Sequence, residues 1–151
     1  MKFLNAFLLT AGIAFAEVAN MSGAWVLNVD RSRFGNNPHP SNVALTIQHS
    51  EPSLKYSGTV NHPNEGHMID FNFEGAIDGK EYTVKEDRGD RRTKFRRVNE
   101  RAVESHSKWS DGELTSRITI SSDGRTLERR MEFKDREGKK RDWVEIYEKK
   151  Q

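Results

Sequence analysis

Residues Leu114-Thr115-Ser116-Arg117-Ile118-Thr119-Ile120-Ser121-Ser122-Asp123-Gly124-Arg125-Thr126-Leu127-Glu128-Arg129-Arg130-Met131-Glu132-Phe133 decide the fold class. Leu114, Ile118 and Ile120 alternate with Thr115, Arg117 and Thr119. Leu127, Met131 and Phe133 alternate with Glu128, Arg130 and Glu132. A period of two belongs to a strand, whose successive side chains point to opposite faces. Asp123-Gly124 separates the two runs. Asp-Gly suits the positive φ angles of a type I′ turn, so the stretch predicts an antiparallel hairpin with one apolar and one charged face.

The same grammar extends in both directions. Asp78-Gly79 and Asp111-Gly112 predict two more hairpins, and Glu51-Pro52-Ser53, Arg88-Gly89-Asp90 and Glu137-Gly138 read as turns. Between them lie alternating runs at Trp25 to Val29, Val43 to Gln48, Leu54 to Val60, Met68 to Phe73, Tyr82 to Lys85 and Val103 to Trp109, and a shorter run around Phe95. Gly58 suggests a bulge or bend in its strand. Trp143 to Tyr147 closes the pattern with apolar residues on both faces, so its buried face stays unassigned. No segment shows a sustained helical period; a turn is expected near Asp30 to Phe34. Phe34 to Asn42, with Gly35, Pro38 and Pro40, reads as an irregular loop, either a plain linker or a cover over a barrel mouth, and the linker is the simpler reading.

About ten short strands joined by tight turns make a meander, and a long meander removes its edges by closing. The expected fold is all-β, an antiparallel up-and-down barrel of about eight to ten strands. A two-sheet sandwich is the alternative. The charged outer face excludes an outer-membrane barrel, which needs a lipid-facing apolar band.

Composition narrows the function. The chain has 151 residues, 25 Lys and Arg against 23 Asp and Glu, and no Cys. A balance this close to zero argues against a dedicated nucleic-acid binder. The absence of Cys excludes disulfides, thiolate catalysis, Cys-ligated zinc and a lipid anchor on Cys. Phe3 to Ala16 is uncharged, follows Lys2 and ends Ala14-Phe15-Ala16, with small residues where a signal peptidase needs them. At about 1.5 Å per residue this stretch is too short for a bilayer. Residues 1–16 are therefore expected to be a cleaved signal and 17–151 a single barrel domain, periplasmic or secreted, with no membrane span.

Gly23-Ala24-Trp25 at the start of the first strand resembles the G-x-W signature of the lipocalins and their calycin relatives. The resemblance implies that Gly23 and Trp25 are structural, the Trp plugging one end of a calyx and backed by a basic residue, here Lys149 or Arg141. Trp25-Val26-Leu27, then Ser32, Phe34, Pro38 and Pro40, with Val144-Glu145-Ile146-Tyr147-Glu148-Lys149 near the C-terminus, are similar to a family of exported bacterial lipocalin-like proteins. That resemblance implies an extracytoplasmic bacterial barrel and supplies no catalytic residues.

Chemistry is sparse. His62, Glu65 and His67 carry ligand-type side chains but sit in a loop at a spacing unlike zinc sites. His106 is out of phase with Val103 and Trp109, so it faces away from any haem. Ser105 and His106 are strand neighbours on opposite faces, which defeats a direct catalytic pair. No metal, cofactor or enzymatic activity is expected. Arg88-Gly89-Asp90 matches a short integrin-recognised tripeptide but is ordinary turn chemistry.

The informative feature is polar residues in the apolar phase. Arg97 shares the phase of Phe95, Arg129 that of Leu127 and Met131, and Ser105, Ser107 and Ser116 the inward phase of their strands. An unpaired charge in a filled core is costly, whereas a lined cavity uses a few placed polar groups. Either the arginines pair with an inward acid or reach a rim, or they hold a ligand. The ligand-binding reading is a barrel that binds or sequesters a small hydrophobic or amphipathic molecule, with Arg97 and Arg129 on an anionic head group. It places Phe71, Phe73, Phe95, Trp109, Met131 and Phe133 along the tail. The competing reading is a filled barrel acting through its surface.

Overall fold

The computed structural model describes residues 16–151. The leader expected at 1–16 lies, apart from its last residue, outside the described residues. Ten strands follow one another: β1 (Gly23–Leu27), β2 (Asn42–Ser50), β3 (Ser53–Asn61), β4 (Met68–Ala76), β5 (Glu81–Val84), β6 (Arg91–Asn99), β7 (Ala102–Lys108), β8 (Gly112–Ile120), β9 (Thr126–Asp135) and β10 (Lys140–Lys149). They form one antiparallel sheet in the order β4-β3-β2-β1-β10-β9-β8-β7-β6-β5. The first and last strands pair, Trp25 opposite Lys149 and Leu27 opposite Tyr147, which curls the meander into a nearly closed barrel rather than a sandwich.

The closure is incomplete at one seam. β4 and β5 are the two ends of the sheet and share no ladder. The hairpin expected at Asp78-Gly79 is corrected: the chain turns there, with Gly79 at φ 74°, but the flanking strands diverge. Side chains fill the seam instead. Phe73 of β4 meets Tyr82 of β5 edge to face at 5.7 Å between ring centroids, and Phe73 also meets Phe95 at 4.8 Å and Tyr56 at 5.5 Å.

The other turns form hairpins, with different backbone reasons from those expected. A type I′ turn needs positive φ at both central residues. Only Gly124 has it in the β8–β9 turn (φ 70°), and in the β7–β8 turn neither central residue, Ser110 nor Asp111, has it. Gly112 is required by crowding: a Cβ there would lie 2.5 Å from Phe133 Cζ and 2.7 Å from the Lys134 carbonyl oxygen. Gly58 likewise makes no bulge. It stays in register between Leu45 and Phe71, and a Cβ would collide with the Ala44 carbonyl oxygen and approach Phe71 Cζ to 2.6 Å.

One end of the barrel is packed shut. Trp25 is wholly buried, as is Val103, among Phe73, Ile120 and Leu127. The Trp25 indole N–H donates to the Met21 carbonyl at 3.0 Å. Lys149 Nζ stands 5.3 Å from the centroid of the indole, so Lys149 and not Arg141 backs the tryptophan. Gly23, at φ 140°, leaves room for the Lys149 stem against its backbone.

Candidate functional site: a cavity with two ion pairs

The connections after β1, β3, β5, β7 and β9 gather at the opposite end, because alternate turns of a meander lie at the same end of a barrel. A cavity of about 440 Å³ opens there, within the size range of small-molecule sites. Leu45, Val60, Phe71, Leu114 and Ile118 contribute apolar walls. Pro38 and Pro40 line it too, so the Phe34–Asn42 segment covers the mouth and is no plain linker. Phe34 anchors that cover, buried and stacked on His39 with centroids 4.3 Å apart.

Of the residues the sequence proposed, Arg129, Phe71, Phe95, Trp109 and Met131 line the cavity together. Three do not. Phe73 is core, consumed by the aromatic packing across the seam. Phe133 leans on Gly112 at the rim, under the Arg141 guanidinium, 5.1 Å from the ring centroid. Arg97 has the inward phase but lies at the shut end of β6. Its guanidinium grips Glu51 through both Nε (3.2 Å to Oε1) and Nη2. His49 completes that cluster: its Nδ1 accepts from the Met21 amide at 3.2 Å, leaving Nε2–H to donate to Glu51 Oε2 at 2.7 Å. Burial raises the Glu51 pKa, but hydrogen bonds from Arg97 and His49 outweigh it and hold the carboxyl below its ordinary value.

Two ion pairs stand in the cavity, built from similar parts. At the mouth, Arg91 Nε donates to Glu86 Oε1 at 2.7 Å, and the Trp109 indole N–H donates to Glu86 Oε2 at 3.0 Å. Arg91 also donates to the Asn72 carbonyl (2.7 Å), Thr93 Oγ1 (3.1 Å) and Tyr56 OH (3.5 Å), reaching across the seam from β6 to β4 and β3. Burial opposes its charge, but Tyr56 and Glu86 more than compensate and its pKa is raised.

Deeper, Arg129 lies in register between Ile118 and Glu145. Glu145 Oε1 accepts from the Trp143 indole at 2.9 Å, and Oε2 accepts from Tyr147 OH at 2.7 Å. Burial, with the Glu145 charge behind it and Arg129 opposing, pushes the Tyr147 phenol well above its ordinary pKa. Arg129 itself makes long contacts, Nε to Ser116 Oγ at 3.4 Å and Nη1 to Glu145 Oε2 at 3.7 Å. Ser116 is bonded in turn to Ser105 at 2.6 Å, and Thr93 to Ser107 at 2.8 Å. No buried side-chain polar atom among the described residues lacks a partner.

Arg91, Glu86, Glu145 and Tyr147 were missed from sequence. Arg91-Thr93-Phe95 does alternate, but the Arg88-Gly89-Asp90 turn signal masked its start. Trp143, Glu145 and Tyr147 share the inward face of β10, while Val144 and Ile146 face out beside the turn at 28–33, where the Arg33 amide donates to the Val144 carbonyl at 2.8 Å and the Ile146 amide to Ser32 Oγ at 3.0 Å. Glu86 sits in a loop and carries no periodic signal. His62 lines the mouth while His67 is exposed, and no group of three His, Cys, Asp or Glu among the described residues could hold a metal. No helix among them is long and apolar enough to cross a membrane.

No family profile and no curated sequence matches the chain. Solved structures do. The chain is similar to the fatty acid binding protein of Schistosoma mansoni in complex with arachidonic acid, at TM-score 0.54 and 10% identity over 90% of this chain and 100% of the other. It is similar to the zebrafish ileal bile acid-binding protein complexed with cholic acid, at TM-score 0.54 and 15% identity over 86% and 98%. Secretory abundant heat soluble protein 4 of Ramazzottius varieornatus matches at TM-score 0.54 and 13% identity over 91% and 100%. These likenesses show the fold: an all-β antiparallel up-and-down barrel like those of the three proteins named.

Proposed function

We propose that this protein binds a small amphipathic molecule, its polar end against Arg129 and its apolar body against Leu45, Val60, Phe71 and Ile118, and that it acts by sequestering or carrying that molecule rather than by catalysis. The carrying observation is a cavity of about 440 Å³ in which the Arg129 guanidinium is a third exposed and its contacts to Ser116 and Glu145 are long, 3.4 and 3.7 Å. A guanidinium is a planar fork of donors that matches a carboxylate with two parallel hydrogen bonds. The lipid and bile-acid complexes among the structural neighbours support a hydrophobic ligand. The cavity weighs against a filled barrel acting only through its surface. The uncharged segment ending Ala14-Phe15-Ala16 supports export, which N-terminal sequencing of the native protein checks: a start at Glu17 supports it, a start at Met1 rejects it.

The binding test is calorimetric titration with long-chain carboxylic acids and the matching alcohols. Acids should bind more tightly, and Arg129→Met should weaken them about ten- to a hundredfold, the loss of one charge-assisted hydrogen bond. Equal binding of acid and alcohol would remove Arg129 from the site. Failure of every apolar probe to bind would reject the carrier reading.

A further inference from the structure

The two cavity ion pairs are presented in opposite senses. At the mouth the guanidinium is hidden and the acid shows: the Arg91 side chain is 7% exposed and Glu86 30%. Deep in the barrel the acid is hidden and the base shows: Arg129 is 32% exposed and Glu145 8%. The hydrogen bonding follows the same division. Arg91 is spent on Glu86, Tyr56, Thr93 and the Asn72 carbonyl. Glu145 is spent on Trp143 and Tyr147. A molecule in the cavity therefore meets a carboxylate at the mouth and a guanidinium at depth.

From this polarity we infer that the ligand is polar at both ends: a hydrogen-bond acceptor, such as a carboxylate, at Arg129, and a hydroxyl or amine donor at Glu86. The inference rests on the ligand-binding reading above and adds its second pole. A carboxylate accepts only, so a donor is the partner Glu86 selects. Each Glu86 oxygen holds one donor and has a further lone pair to offer. A second ligand carboxylate at the mouth would meet like charge. Arg129 lies six residues below the end of β9 at Asp135, about 20 Å along the strand and about 15 Å along the axis of a barrel with strands tilted by roughly 40°. An extended chain of about a dozen bonds covers that span.

The test compares the full chain's affinity for plain alkanoic acids with that for ω-hydroxy and ω-amino acids of equal length. Without an acceptor at the mouth, a terminal hydroxyl confers no advantage, and it weakens binding if the tail end is desolvated. The two-pole reading expects the ω-functionalised acids to bind about tenfold more tightly than the plain acid. Glu86→Gln keeps one oxygen acceptor but loses the charge, so it should reduce that preference, more for the ω-amino than for the ω-hydroxy acid. Arg129→Met should weaken all three acids together. If the plain acid binds and the ω-functionalised acids bind no better to the wild type, the second pole is refuted while the carrier reading stands. If no acid or alcohol binds, the carrier reading itself fails. The wild-type panel decides the question even if Glu86→Gln, which strips the buried Arg91 of its counter-charge, does not fold.

Discussion

Lys149 Nζ lies 5.3 Å from the centre of the Trp25 indole, and the two residues are direct partners across the β1–β10 ladder. The ring closes the floor of the barrel and the ammonium shields its outer side from water. Trp25→Ala should cost about 3–5 kcal/mol, the usual result of emptying a large buried aromatic site. Lys149→Met should cost only about 0.5–1 kcal/mol, the worth of a cation–π contact at an exposed site. Urea denaturation of both variants checks the ordering; equal losses would show that Lys149 has a larger role than shielding.

Gly58 and Gly124 are glycines for different reasons, and substitution separates them. Gly58→Ala should destabilise by about 1–3 kcal/mol through overpacking against the Ala44 carbonyl and Phe71. At Gly124 there is open space but φ is 70°, so Ala should cost about 1–2 kcal/mol while Asn, which tolerates that region, should cost less. At Gly58 Asn should be worse than Ala. Thermal unfolding of the four variants gives the pattern.

Arg91 fastens strands that the backbone leaves apart. Arg91→Ala should cost about 1–3 kcal/mol, because the buried Thr93 hydroxyl and the Asn72 carbonyl lose a donor, while the partly exposed Glu86 keeps water and Trp109. Amide exchange measured by mass spectrometry should rise first in β4 and β5. Uniform acceleration across all ten strands would assign Arg91 to general stability and not to the seam.

Glu51 sets part of the acid response. Its folded pKa lies below the ordinary 4.5, so the unfolded chain takes up this proton more readily than the folded one. Stability therefore falls as pH drops. The contribution is complete above about 4.5 and is lost as pH descends through the lower, folded value. In Glu51→Gln the denaturation midpoint should be lower at neutral pH and should fall less between neutral and acid pH. A wild-type slope in the variant would place the acid response elsewhere.

Period two and turn residues were enough to read ten strands and an antiparallel meander, because each strand has one dry face. The inward phase of Arg129 followed from Leu127 and Met131 on the same strand. What alternation could not supply was height along the barrel. Arg97 and Arg129 have the same inward phase, yet one ends in a closed-end pair with Glu51 and the other in the cavity. Nor could it show the seam: Asp78-Gly79 turns the chain as expected, but whether the flanking strands pair is decided by closure of the whole sheet. Phe73 was drawn into that closure, and Glu86 entered the cavity from a loop with no pattern to read.

The seam also fixes where this chain could be recut. Since β1 and β10 are neighbours and β4 and β5 are not, strand order is consecutive if counting starts at β5, passes from β10 to β1 and stops at β4. A circular permutant opened in the link between Ala76 and Glu81, with the native ends tied near Gly23 and Lys149, would keep every ladder of the sheet. It would lose only the tether between the two free edges, leaving side-chain contacts to clasp the ring, among them Phe73 with Tyr82 and Phe95 and the reach of Arg91 to Asn72 and Tyr56.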